Sequence, residues 1–133
     1  MIRRLLLLVL FAAALAACGR GGAGTDLEGS LDAPSQLAPG ESIVLEAEKL
    51  EVQFVGIATD SRCPTDVTCV WAGEVVVRLA IRSDGTTTQH EVKETESATA
   101  DGFTVTVLQV LPARTSSQPI AAADYRVTLK ITR

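Results

Sequence analysis

The chain is poor in the side chains that do chemistry: its 133 residues include one histidine, three cysteines, one tryptophan, one tyrosine and three phenylalanines. A serine nucleophile needs a base to take its proton, and the lone imidazole, His90, falls on a predicted strand beside Thr88 and Val92, the setting of a half-exposed strand histidine. No glycine-flanked serine, P-loop, zinc-protease helix or dinucleotide fingerprint accompanies it. Paired carboxylates occur at Glu46 and Glu48 and at Glu94 and Glu96, on polar strand faces or turns where solvated charge is the ordinary state. Neither catalysis nor a cofactor is expected. A metal is not expected either, because zinc takes about four ligands and only His90 joins the thiols. Calcium needs six or more oxygens, and neither Asp60 nor Asp66 lies in a loop of that acidic density. Phe54, Phe103 and Tyr125 fall at inward-facing positions of predicted strands, which leaves no aromatic platform for sugars or single-stranded nucleic acid.

Long apolar runs are also missing. From Leu5 to Cys18 there are 14 uncharged residues, followed at once by Arg20 and a glycine cluster. That is short of the roughly 20 residues a helix needs to cross a bilayer core, so no permanent transmembrane anchor is expected. Arg3 and Arg4, the apolar run from Leu5 to Leu15, and small residues ahead of Cys18 form the three parts of a secretory leader. The string Leu15-Ala16-Ala17-Cys18 resembles the bacterial lipobox. The resemblance implies cleavage before Cys18, acylation of its thiol (palmitate among the chains), and a membrane-anchored lipoprotein of the cell envelope, facing the periplasm where there is one. Gly19 in place of an aspartate resembles lipoproteins sent to the outer membrane of Gram-negative cells.

Removing residues 1–17 leaves 116 residues, enough for one domain and too few for two cores. Ten basic residues then face sixteen acidic ones, a formal charge of −6, which disfavours nucleic acid or anionic lipid as an electrostatic partner. With Cys18 lipidated, Cys63 and Cys69 remain as an even pair in an oxidising compartment, with a loop between them that a disulfide closes. In the chain-entropy view that closure restrains the unfolded chain by roughly 2 kcal/mol.

After Cys18 the run Gly19-Arg20-Gly21-Gly22-Ala23-Gly24-Thr25 cannot bury apolar surface, so residues 18–40 read as a flexible tether. Within it Leu27, Leu31 and Leu37 are too sparse for a helix face, although one of them has room to lie against the domain edge. From Ser42 onward the pattern has a period of two. Ile43, Leu45 and Ala47 alternate with Glu46 and Glu48; Leu50, Val52 and Phe54 with Glu51 and Gln53. Val75, Val77, Leu79 and Ile81 share a face against Arg78 and Arg82, and Asp84-Gly85 then turns the chain into a partner strand from Thr86 to Lys93. Asp101-Gly102 is a second turn. After it Phe103, Val105 and Val107 share a face until Leu108 and Val110 slip the alternation, the mark of a β-bulge or of a strand covered on both faces. Tyr125, Val127, Leu129 and Ile131 form the last inward row. Six short strands and no helical stripe predict an all-β domain over residues 41–133, an antiparallel β-sandwich immunoglobulin-like in layout, in preference to a closed barrel.

One segment stands apart: Asp60-Ser61-Arg62-Cys63-Pro64-Thr65-Asp66-Val67-Thr68-Cys69-Val70-Trp71-Ala72-Gly73 holds the two remaining cysteines and the only tryptophan. With the strands flanking it, this string resembles a group of secreted or lipid-anchored bacterial domains of uncharacterised activity that carry a DSRCP…C.W.G core. The resemblance spans roughly residues 37–133, and implies the same fold and disulfide but no substrate. Pro64 fixes one backbone angle beside Cys63 and stiffens the loop. If Cys69 and Trp71 both lie on the following strand they face the same side, so the indole is expected to cap the disulfide as core; the other reading is an exposed anchor for a partner. Arg62 is expected to pair with Asp60 or Glu74. The candidate recognition residues are Arg62, Thr65 and Asp66 at the loop tip, together with Trp71 if it is exposed. These features predict a non-catalytic interaction module that presents the loop to another envelope protein. The alternatives are an inhibitor of an extracytoplasmic hydrolase such as a protease or lysozyme, since a stiff loop is preorganised for a cleft, and a purely structural role.

Overall fold

The computed structural model describes residues 24–133; the predicted leader, Cys18 and the first part of the tether lie outside the described residues. Nine strands form two sheets packed face to face. The first sheet is β1 (Asp26–Glu28), β3 (Ser42–Leu45), β4 (Leu50–Asp60), β5 (Val75–Ser83) and β6 (Thr86–Lys93), in the order β1-β3-β4-β5-β6. The second is β2 (Pro34–Leu37), β9 (Arg126–Thr132), β8 (Phe103–Leu111) and β7 (Ser97–Ala100), in the order β2-β9-β8-β7. All pairings are antiparallel except β1 with β3. The all-β sandwich expected from the periodicity is therefore present, built as two successive meanders, β3 to β6 and β7 to β9, with β1 and β2 added at the edges.

The inward rows are those of the period-two pattern. Val52, Phe54, Val77, Leu79, Val105, Val107, Val127 and Leu129 are wholly buried, and the arginines at 78 and 82 on the reverse face of β5 are exposed. At about 25 cal/mol per Å² of apolar surface, each of these side chains contributes roughly 1.5–3 kcal/mol. Both turns form as read: Asp84 and Gly85, and Asp101 and Gly102, all have positive φ, as two-residue hairpins of the I′ type require. The slip in β8 is a bulge, with the register to β9 shifting between Val107 and Gln109.

Three strands exceed the six expected, and two of them correct the domain boundary. β1 and β2 lie within the stretch assigned to the tether, and Leu37 is completely buried while Leu27 and Leu31 pack against the core. The folded domain thus includes residues 26–40, because these leucines cover the edge of a core that β3 and β9 alone leave open. β7 completes the second sheet. A further correction falls at Ala47. The alternation begun by Ile43 and Leu45 ends at Leu45, where a 3₁₀ turn over Glu46–Glu48 is closed by Lys49 at φ 52°, leaving Ala47 exposed.

The sandwich has two poles. One holds the hairpin at Asp84-Gly85. At the other β4 ends and β5 begins, with Asp60 opposite Val75, and β8 ends as β9 begins, with Leu111 opposite Arg126. The cysteine loop belongs to this second pole.

Candidate functional site

Residues 61–74 leave the sheet between β4 and β5 as an irregular loop with a hydrogen-bonded base. Ser61 N donates to Glu74 O at 2.8 Å and Cys63 N to Ala72 O at 2.8 Å, while the Ser61 hydroxyl donates to Glu74 O at 3.1 Å. Cys63 and Cys69 are joined, with Cα atoms 5.9 Å apart. Gly73 adopts φ 69°, and a Cβ there would collide with the Ser61 carbonyl, so the base of the loop closes only with glycine at that place.

A polar lock fastens the loop to the second sheet. Asp60 accepts from Arg62 Nε at 2.9 Å, from an Arg62 terminal nitrogen at 2.7 Å and from the Tyr125 hydroxyl at 2.8 Å. The same guanidinium donates to the carbonyls of Val110 and Pro112, both at 3.1 Å, and Arg114 donates to the Asp60 carbonyl at 2.7 Å. The Arg62 and Asp60 side chains are only 15% and 7% exposed. Burial pushes the Asp60 carboxyl up, but the hydrogen bonds from Arg62 and Tyr125 and the Arg62 charge outweigh it and hold the carboxyl below its ordinary value. The bond to Asp60 raises the Arg62 guanidinium in turn, against the cost of its burial. Burial first, and then the bond to Asp60, push the Tyr125 phenol up. These groups therefore hold their charges and protons firmly near neutral pH, which suits a clamp and not a proton donor or acceptor.

The segment after β8 supports the loop from the side. Thr65 N donates to Arg114 O at 3.2 Å, the Thr65 hydroxyl to Thr115 O at 3.2 Å, and Ser117 N to the Asp66 carboxylate at 3.3 Å.

Against this geometry the sequence expectations divide. Arg62 pairs with Asp60, one of the two partners considered for it, while Glu74 bonds Lys93 at 2.9 Å. Arg62 is accordingly not part of a recognition tip: its charge is spent on the lock, and it lies largely beneath the surface. Thr65 and Asp66 are exposed, with polar atoms engaged by residues 114–117. The largest correction concerns Trp71. It is 81% exposed and does not cap the disulfide. The capping argument placed Cys69 and Trp71 on a strand, but β5 begins only at Val75, and the chain at 69–74 takes loop conformations that turn the indole outward. Val70 is 89% and Val67 48% exposed beside it, so the loop carries three open apolar side chains within five residues. Val67 and Val70 were not singled out from sequence. A valine on each side of a cysteine, where Gly73 and Pro64 preclude a regular strand, is the signal that points to them. Tyr125 and Arg114 were also missed as partners of Asp60. A hydroxyl on an inward-facing tyrosine ordinarily finds a partner, which is the available clue for the first; nothing local marks the second.

The surroundings of His90 offer little else. Its Nε2 lies 2.9 Å from the Thr88 hydroxyl, along an open depression of about 400 Å³ lined also by Ser83, Asp84 and Asp101. Among the described residues no three His, Cys, Asp or Glu side chains converge as metal ligands, and no helix is long and apolar enough to cross a membrane. No family model, curated protein or solved structure matches the chain.

Proposed function

We propose that the chain is a lipid-anchored protein of the cell envelope, held through Cys18, whose sandwich is a non-catalytic binding module presenting the disulfide-closed loop. The observation that carries this reading is the exposure of Val70 and Trp71, at 89% and 81%, on a loop otherwise closed and clamped. A tryptophan left in water is an expense for a monomer, and tryptophan is enriched where contacts carry binding energy. The base hydrogen bonds, the disulfide and the Asp60–Arg62 lock hold the loop in one form, so contact costs little ordering entropy.

The test is photocrosslinking in intact cells from a diazirine side chain placed at position 70. An envelope adduct supports the reading, whereas labelling no greater than from an exposed control position such as Gln89 refutes it. The second reading, inhibition of an extracytoplasmic hydrolase, draws on the same preorganised projection with a bulky residue at its tip. Protease and lysozyme assays with the purified protein decide it: dose-dependent inhibition lost in Trp71→Ala favours the inhibitor.

A further inference from the structure

We propose that the surface met by Val67, Val70 and Trp71 is the bilayer that carries the lipid anchor, so that the loop is a second, shallow membrane contact. The proposal rests on the reading of Cys18 as lipidated. Two further observations carry it, the direction in which the chain enters the domain and the length left to reach the membrane.

β1 runs parallel to β3, with Asp26 opposite Ser42 and Glu28 opposite Val44. β3 in turn runs from the level of Gln53 to that of Leu50, away from the cysteine loop. Followed backwards from Asp26, the chain therefore heads toward the pole that bears the loop. Gly24 lies beside Gly40, whose amide donates to Phe54 O, and Phe54 is opposite Leu79. The four steps along β5 from Leu79 to Val75 span about 13 Å, and the paired base of the loop, Ser61 with Glu74 and Cys63 with Ala72, adds roughly 10 Å more at a strand's rise per residue. From Gly24 to Cys18 there are six residues, at most about 20 Å when fully extended. On these lengths the anchor, fully extended, reaches no farther in that direction than the paired base of the loop, and the loop tip lies at or beyond its level. A tether this short cannot hold the domain clear of the bilayer, and the heading of the chain brings the loop pole to it.

The chemistry at that pole fits a lipid interface. Tryptophan, with an apolar body and one N–H, is favoured at the boundary between headgroups and acyl chains, and Val70 and Val67 add apolar surface beside it. The charged side chains nearest the tip are engaged: Arg62 with Asp60, Glu74 with Lys93, and Asp66 with the Ser117 amide. With a mature charge of −6 the contact is apolar and not electrostatic, so zwitterionic lipid suffices and anionic lipid adds nothing.

Because Trp71 is the only tryptophan, the experiment reads the loop alone. The native lipidated protein is reconstituted into phosphatidylcholine vesicles, with and without chain-brominated lipid, and its lipid is verified by mass. The proposal predicts Trp71 emission shifted to the blue of the detergent-free unlipidated chain, iodide quenching reduced several-fold, and strong quenching by the bromines. Adding phosphatidylglycerol should leave these unchanged. Val70→Asp should remain vesicle-bound through its lipid while bromine quenching falls to near background. Lipidated, vesicle-bound protein whose Trp71 stays red and open to iodide overturns this inference and leaves the anchor standing; protein without lipid on Cys18 overturns both. A diazirine at position 70 that forms a protein adduct in native membranes, with no lipid adduct in pure phosphatidylcholine vesicles, overturns the bilayer as the partner and assigns the loop to a protein.

Discussion

Replacing Asp60 by alanine tests the lock that holds the loop to the sandwich. The carboxylate, 7% exposed, accepts three side-chain hydrogen bonds and is the counter-charge of a guanidinium 15% exposed. Its removal leaves Arg62 with two carbonyl acceptors and no hydrogen-bonded carboxylate, and Tyr125 with an unpaired hydroxyl. Breaking a buried pair from one side costs about 3–5 kcal/mol. The pair lies at the edge of the core, so the low end, about 3 kcal/mol, is expected, a fall in Tm of about 10–15 °C for a domain this size. Denaturant unfolding followed by far-UV circular dichroism is the assay, since an exposed Trp71 reports poorly on the core. The double variant Asp60→Ala/Arg62→Ala should lose less than the sum of the single losses, because it strands no charge. A loss below about 1 kcal/mol for Asp60→Ala, or additive losses in the double variant, would refute the lock.

Gly73→Ala should destabilise the domain by well over about 1 kcal/mol, since alanine is strained at this positive φ and its Cβ meets the Ser61 carbonyl; an unchanged denaturation midpoint contradicts the closed loop base. The depressed Asp60 carboxyl sets an acid dependence. Its stabilisation is complete above the unfolded aspartate value of about 3.9 and is lost as pH falls through the lower folded value. Stability curves of the wild type and Asp60→Asn should therefore converge as the pH is lowered below about 4, and parallel curves down to full protonation would show that Asp60 is not held ionised. For the anchor, Cys18→Ser should accumulate as precursor with residues 1–17 attached and take up no labelled fatty acid; normal labelling refutes lipidation at Cys18.

Much of the fold was legible because four strands, β4, β5, β8 and β9, are long enough for a period of two to repeat, because Ile43 and Leu45 of β3 lead into that pattern, and because Asp84-Gly85 and Asp101-Gly102 are tight-turn dipeptides, the first of which marks β6, whose only buried residue is Val92. β1, β2 and β7 were not, for a physical reason. Unlike β3, which leads straight into the alternation of β4, these strands of three or four residues have no neighbouring apolar row to join and place at most one or two side chains inward, so no period is established, and Leu37 shows its burial only once β9 lies beside it. Ala47 continued an alternation that the left-handed Lys49 cuts short. The candidate site was legible in composition and not in orientation. The disulfide, Gly73 and the pairing of Arg62 with Asp60 are local matters, encoded within 14 residues. The outward turn of Trp71 depends on where β5 begins, and the third member of the lock, Tyr125, lies 65 residues from Asp60.

The exposure of Trp71 underlies both the binding role and the membrane contact, and the most direct measurement is iodide quenching of its fluorescence in the purified, unlipidated chain, paired with the stability of Trp71→Ala. The account predicts red emission, quenching close to that of free indole, and a variant within about 0.5 kcal/mol of the wild type, as for surface positions. Blue-shifted, protected emission with a loss of about 3–5 kcal/mol, the cost of removing a buried aromatic, would contradict it and return Trp71 to the core.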